Sequence, residues 1–341
     1  MSISYITEAR EALHSTFDAV EFADQAEKAA ILREVTLRPP KEKSYGDLST
    51  NTCIILKSKK NIDFKSISEK LVTAFSEMAE VSDVRLEDNG YINIKYSVKH
   101  WLNNILLVLS DGLEFGLERI AAKNCVFPAP AEVVDLASFR EQANFEALDR
   151  IAVLTGAEVV REPLPVREAA GFPHKTAIAK CTEAKTRFAV IANPPGFIDA
   201  FSPILAIDRH YDNPVFAIPY ARLMLQRLGA TAEAAETGMS DGVDMSVLKL
   251  PEEVALARLL SDWPLALERS MRKRDAFYLA SFLQALSLLF FKLNKRVHPV
   301  SSNYLTAEAE RPARLCLLGA LDVILIGGVR LLGVDAVKEY G

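Results

Sequence analysis

The side chains that carry the most concentrated chemistry here are cations. Lys43, Lys57, Lys59 and Lys60 gather around Tyr45, Asp47 and Asn51; Arg269, Arg272, Lys273 and Arg274 form a second group; Lys292, Lys295 and Arg296 follow at helical spacing. Repeated ammonium and guanidinium groups hold phosphate oxygens by charge and hydrogen bonding, and an aromatic ring such as Tyr220, with Arg222 beside it, can stack on an unpaired nucleobase. These residues are the candidate RNA contacts. The same lysines also describe a solvated helix face, and Tyr220 also describes a helix tyrosine packed under the Asn213-Pro214 turn.

Other chemistries find little support. The five histidines, His14, His100, His174, His210 and His298, include no pair at metal-ligand spacing, and the four cysteines, Cys53, Cys125, Cys181 and Cys316, lie far apart. No metal and no cofactor is expected. Ser301-Ser302 lacks a partner acid, and Gly327-Gly328 sits in an apolar run as a helix-packing pair instead of a phosphate loop. Asp135, Arg140, Glu141 and Asn144 form a polar group at one helix start, which reads best as a capped, solvated entrance with Ser138 as cap.

The elements that must position these groups come next. At 341 residues the chain holds more than one core, and a composition that is 50% hydrophobic and 25% charged is that of a globular protein. A net charge of −5 gives no global attraction for a polyanion, so any nucleic-acid contact rests on local patches. Residues 1 to about 30 predict one amphipathic helix, and Asn61 to Met78 another. The β-branched residues of Val35–Leu37 and Thr52–Leu56, and the alternation at Val84–Leu86 and Tyr91–Tyr96, predict strands. Asn89-Gly90 predicts a hairpin whose two turn positions both tolerate positive φ. A helix anchored by Trp101 follows, then a linker over 124–130, a strand at Val133-Val134, a helix to Thr155 and a strand at Glu158–Arg161. Beyond Asn213 the pattern is helical, with Pro251, Pro264, Pro299 and Pro312 dividing the helices. Phe282–Phe291 and Leu315–Leu332 read as core helices and not as membrane spans, and the cysteine usage and N-terminus suggest a cytoplasmic protein.

Both ends resemble arginyl-tRNA synthetase. Lys43-Ser44-Tyr45-Gly46-Asp47-Leu48-Ser49-Thr50-Asn51, followed about forty residues later by Asn89-Gly90-Tyr91-Ile92-Asn93-Ile94, is similar to that family's N-terminal domain. Asn213-Pro214-Val215-Phe216, Tyr220-Ala221-Arg222, Ala313-Arg314-Leu315 and Leu331-Leu332-Gly333-Val334-Asp335-Ala336 are similar to its DALR-type anticodon-binding domain. The resemblance implies an α+β protein in three segments: a small α+β N-terminal domain (1–123), a vestigial class I α/β middle (124–203) and an all-α helical bundle (204–341). Phe139-Arg140 through Glu162 follows the family's pattern for the helix after the first catalytic signature. The signature itself, His-x-Gly-His, falls on Asp135, Leu136, Ala137 and Ser138, where neither histidine is present. The second signature, Lys-Met-Ser-Lys-Ser, has no counterpart between Arg161 and Asn213, and about 80 residues are too few for a doubly wound nucleotide fold. The family's Gln-Tyr-Ala-His-Ala-Arg has become Pro219-Tyr220-Ala221-Arg222-Leu223-Met224, which removes polar readers.

The expectation is a truncated, non-catalytic paralogue that binds tRNA or other structured RNA through its two end domains, with no role for DNA or a membrane. The alternative is a regulatory or adaptor subunit for a protein partner. A lesser alternative is arginine–tRNA ligase-related activity, which the resemblance alone would assign.

Overall fold

Four short strands, β1 (Leu37–Arg38), β2 (Leu48–Thr50), β3 (Val81–Leu86) and β4 (Ile92–Tyr96), form an antiparallel sheet in the order β1-β2-β4-β3. The computed structural model describes residues 4–18, 20, 22–40, 42–60, 64–117, 125–128, 136–162, 183–194, 208–228, 242–297 and 304–334. Chain contacts divide it into two units between Trp101 and Leu102.

In the first unit, Ile92, Ile94 and Tyr96 alternate along β4 and are buried, as period-two patterning requires. Helix α1 (Tyr5–Asp18) buries Ile6, Ala9, Leu13 and Phe17 on one face. The single helix expected to residue 30 breaks after Asp18. A pair of side-chain caps starts α2 (Gln25–Glu34): Glu27 N donates to Asp24 Oδ1 at 2.8 Å, and Glu27 Oε2 accepts from Ala23 N at 2.6 Å. Thr52–Leu56 is also corrected, because it opens helix α3 (Thr52–Lys60) and is not a strand. Leu48–Thr50 already fills the place beside β4, and Thr52, Cys53 and Leu56 fall on one helical face that is buried. Packing here overrides the strand preference of Ile54 and Ile55. Helix α4 (Phe64–Ser76) buries Ile67, Leu71 and Phe75. The Asn89-Gly90 hairpin forms, but only Gly90 (φ +86°) takes positive φ, in a five-residue loop closed by Gly90 N donating to Glu87 O at 2.8 Å.

His100, at the start of α5 (Val98–Asp111), lies against the rings of Tyr96 (4.8 Å) and Trp101 (4.7 Å). Burial pushes its imidazole from 6.5 down to about 4, with the Glu80 carboxylate pulling weakly upward. The folded state therefore holds it neutral while the unfolded chain takes up a proton below 6.5. Its contribution to stability is complete above 6.5 and is lost as pH falls toward about 4. Thermal melts at pH 7 and pH 5 should show a smaller drop for His100→Gln than for the wild type; equal drops would refute this assignment.

The second unit begins with a β-α-β passage. Cys125–Pro128 (β5) pairs in parallel with Val159–Glu162 (β6), and the 20-residue α6 (Leu136–Thr155) connects them. The linker expected over 124–130 thus contains a strand, since Cys125-Val126-Phe127 has an edge to pair with. Val133-Val134, the proline-rich 163–173 and the small-residue stretch 230–238 lie outside the described residues. After α7 (Glu183–Ala192) come α8 (Pro214–Arg227), α9 (Pro251–Ser261), α10 (Trp263–Lys273), α11 (Phe277–Val297) and α12 (Arg311–Leu332). Pro214, Pro251, Pro264 and Pro312 occupy the first two positions of their helices, where no intrahelical N–H is lost; Pro299 lies outside the described residues. Both α11 and α12 are long and apolar enough to cross a membrane, but 83% of the most apolar window of α12 is buried inside the bundle. The fully buried Trp263 donates its indole N–H to Leu113 O at 3.0 Å.

Candidate nucleic-acid interface

In the first unit the Tyr45-Gly46-Asp47 segment serves the fold before anything else. Gly46 has φ +122°, and a Cβ there would stand 2.7 Å from Ile94 O, so only glycine lets the chain lie this close to β4. Asp47, buried, ties the same strand through its N–H to Ile94 O (2.8 Å) and its Oδ2, which accepts from Tyr96 N (2.8 Å). Asn51 clamps the chain before β1, accepting from Thr36 N at 2.7 Å and donating to Glu34 O at 3.3 Å. Asp47 and Asn51 are therefore scaffold side chains. Tyr45 is half exposed, Lys57 sits 5.3 Å from the Phe64 ring centroid, and Lys59 pairs with Glu34 at 2.9 Å. The side chains of Lys43 and Lys60 lie outside the described residues.

The second unit assembles an aromatic platform. Asn213 caps α8, its Oδ1 accepting from Val215 N at 3.1 Å, while Gln284 of α11 donates to Asp212 O at 2.6 Å and fixes the preceding loop. Phe216 and Tyr220, one helical turn apart, stack nearly parallel (5.1 Å, 16°). Tyr211 from the loop lies 4.6 Å from Phe291 and 6.0 Å from both Phe216 and Tyr220. Tyr211 is 49% exposed, and on α11 the exposed Lys292 and Lys295 follow Phe291 by one and four residues. Sequence reasoning selected Tyr220 and missed Tyr211, Phe216 and Phe291; the signal was an aromatic pair at i, i+4 plus a tyrosine in a polar loop.

Charges divide into free and engaged. Arg222, a candidate contact, is 5% exposed and pairs with the buried Asp322 at 3.3 Å, so its guanidinium belongs to the core. Arg296 makes a two-oxygen contact with Glu252 at 3.1 Å. Arg269 lies 4.5 Å over the Tyr278 ring, whereas Arg272, Lys273 and Arg274 are exposed at the end of α10.

Of the degenerate signature, Asp135 lies outside the described residues, while Leu136, Ala137 and Ser138 form the first turn of α6, with Leu136 and Ser138 buried. The polar group beyond it is engaged in packing. Arg140 binds both Asp275 oxygens (2.9 and 3.1 Å) and the carbonyls of Val190 and Asn193, and Asn144 bridges Arg274 O and Ala276 N. Burial pushes the Cys53 and Cys316 thiols up to about 11, which suppresses thiolate chemistry. Among the described residues no histidine, cysteine and carboxylate cluster can hold a metal.

The described residues thus form an α+β unit with a glycine-tied sheet and a mainly helical unit with a cluster of four aromatic rings. Residues 5–96 match the model of the arginyl-tRNA synthetase N-terminal domain, and residues 224–339 match the DALR anticodon binding domain. The chain therefore carries an arginyl-tRNA synthetase N-terminal domain and a DALR anticodon binding domain. An arginine–tRNA ligase of Geotalea daltonii is 30% identical over 194 residues, which make up 55% of this chain and 33% of that protein. One of Rhizobium rhizogenes is 30% identical over 88 residues, 26% of this chain and 15% of that one. The matched regions thus span a third or less of these relatives, and this chain is much the shorter. The Thermus thermophilus arginyl-tRNA synthetase shares the fold with a TM-score of 0.60 at 12% identity, over 96% of this chain and 99% of that one.

Proposed function

We propose that this protein binds tRNA, or an RNA folded like it, through its two end domains without charging it with an amino acid. The observation that carries the reading is the cluster of the Tyr211, Phe216, Tyr220 and Phe291 rings, with the exposed Lys292 and Lys295 following Phe291 on the same helix. Stacked rings accept any unpaired base, and neighbouring ammonium groups hold the phosphates on either side. Arg269, Arg272, Lys273 and Arg274, and in the first unit Tyr45, Lys57 and Lys59 with Lys43 and Lys60, extend the contact to the backbone. Asp47, Asn51 and Arg222 are left to the scaffold.

The segments 1–123, 124–203 and 204–341 correspond in this reading to an N-terminal domain, a reduced catalytic domain and an anticodon-binding domain. Amino acid activation is absent from the proposal because the groups that neutralise a triphosphate in class I chemistry, His-x-Gly-His and the lysine loop, have no equivalents in the sequence. The spacing of the cysteines and the reading of the two apolar helices as core fit a reducing cytosol.

Titration with total tRNA should show binding that weakens about tenfold to a hundredfold between 50 and 200 mM salt, together with background amino-acid-dependent pyrophosphate exchange. Exchange above background would end the non-catalytic reading. No salt-sensitive binding would end the RNA reading and favour a protein partner.

A further inference from the structure

Helices α10 and α12 end with one hydrogen-bond pattern but with different residues at its critical position. In α12, Gly333 N donates to Arg330 O (3.0 Å) and Val334 N to Val329 O (3.1 Å). In α10, Arg274 N donates to Met271 O (3.1 Å) and Asp275 N to Ser270 O (3.0 Å). This closure requires a left-handed residue, which glycine adopts without penalty. Gly333 has φ +72°, whereas the equivalent position of α10 is Arg274, at φ +54°. A Cβ in this conformation is strained, and arginine has no short polar group to relieve it locally.

Strain of this kind persists where the surroundings over-determine the backbone, and it concentrates where a side chain is needed. The surroundings are on α6. Asn144, 4% exposed, donates through Nδ2 to Arg274 O (3.0 Å) and accepts from Ala276 N through Oδ1 (2.7 Å). Arg140 grips the Asp275 carboxylate, whose Oδ1 also accepts from Phe277 N (2.9 Å) at the start of α11. Every one of these contacts holds backbone or Asp275. The Arg274 guanidinium itself is exposed beside Arg272 and Lys273, and none of the three has a carboxylate partner among the described residues.

We propose that Arg274 binds a phosphate of the RNA backbone, and that Asn144 and Arg140 are positioning residues that hold the α10–α11 turn so that Arg272, Lys273 and Arg274 meet that backbone together. This rests on the RNA-binding reading above. It gives helix α6, the part of the chain that follows the pattern of a catalytic-domain helix, a role in displaying a phosphate-binding turn.

The test uses the full chain and total tRNA, with melting temperature, affinity and the slope of affinity against salt read together. Arg274→Gly should raise the melting temperature, because it relieves the left-handed strain, yet weaken tRNA binding about three- to tenfold and reduce the salt slope by about 1. Arg274→Lys should keep the slope. Asn144→Ala should cost more affinity in the wild-type background than in Arg274→Gly, where only Arg272 and Lys273 are left to position, which separates positioning from general loss of fold. Wild-type binding with unchanged affinity and slope in Arg274→Gly would overturn the proposal and leave the RNA reading standing. Equal losses from Asn144→Ala in both backgrounds would overturn the positioning role. Absence of salt-dependent binding by the wild type would remove both the reading and the proposal.

Discussion

Asp322→Ala should destabilise the helical unit by about 3–5 kcal/mol, because it leaves the Arg222 guanidinium buried without its counter-charge. The pair is 3.3 Å apart, with side chains 6% and 2% exposed, so water cannot replace the lost carboxylate. A fall in melting temperature on the order of 10 °C follows from that energy for a unit of this size. Removing both charges together, as Arg222→Met with Asp322→Leu, should recover most of the loss, since an apolar pair of similar volume meets no desolvation penalty. The double variant should also keep tRNA affinity within about twofold. If it melts like the wild type but no longer binds tRNA, the inward role of Arg222 is wrong and a direct contact must be restored to it.

The second large effect concerns the aromatic face. Base–ring stacking contributes about 1–3 kcal/mol per base, so Tyr211→Ala should weaken tRNA binding about five- to a hundredfold, and adding Tyr220→Ala should weaken it further. The salt slope should stay almost constant, because stacking releases no counterions. Tyr211→Leu separates the two roles of the ring: it retains an apolar contact on Phe291, 4.6 Å away, but offers no flat face to a base. Affinity equal to wild type in Tyr211→Ala would eliminate the platform as a binding surface. A slope that falls in step with the affinity would mean that the ring acts by placing Lys292 instead.

These two expectations express one division of labour in the helical unit. Its charged residues include the buried pairs Arg222–Asp322, Arg314–Glu253 and Arg140–Asp275, the more exposed pair Arg296–Glu252, and the exposed cations Arg272, Lys273, Arg274, Lys292 and Lys295. The net charge of −5 is compatible with RNA binding because the local grouping, and not the sum, sets the potential a phosphate meets.

Residue order by itself determined the class of fold and pointed to the two end domains. Helical periodicity placed α1, α4 and the core helices α11 and α12, since a buried stripe must recur every three to four residues whatever it packs against. Prolines marked where α9, α10 and α12 begin, because a missing N–H is tolerated only in the first turn. The motifs around Gly46 and Gly90 pointed to the N-terminal domain. Tertiary structure alone decided which polar residues are available for binding. Arg222, Asp47 and Asn51 look in sequence like contacts, yet their partners lie 100, 49 and 15 residues away and turn them into scaffold. Thr52–Leu56 became a helix because β2 had filled the sheet position beside β4. Tyr211 and Phe291 meet only because α8 and α11 pack side by side. Each of these outcomes depends on which distant groups arrive next to a side chain, and no local propensity encodes that.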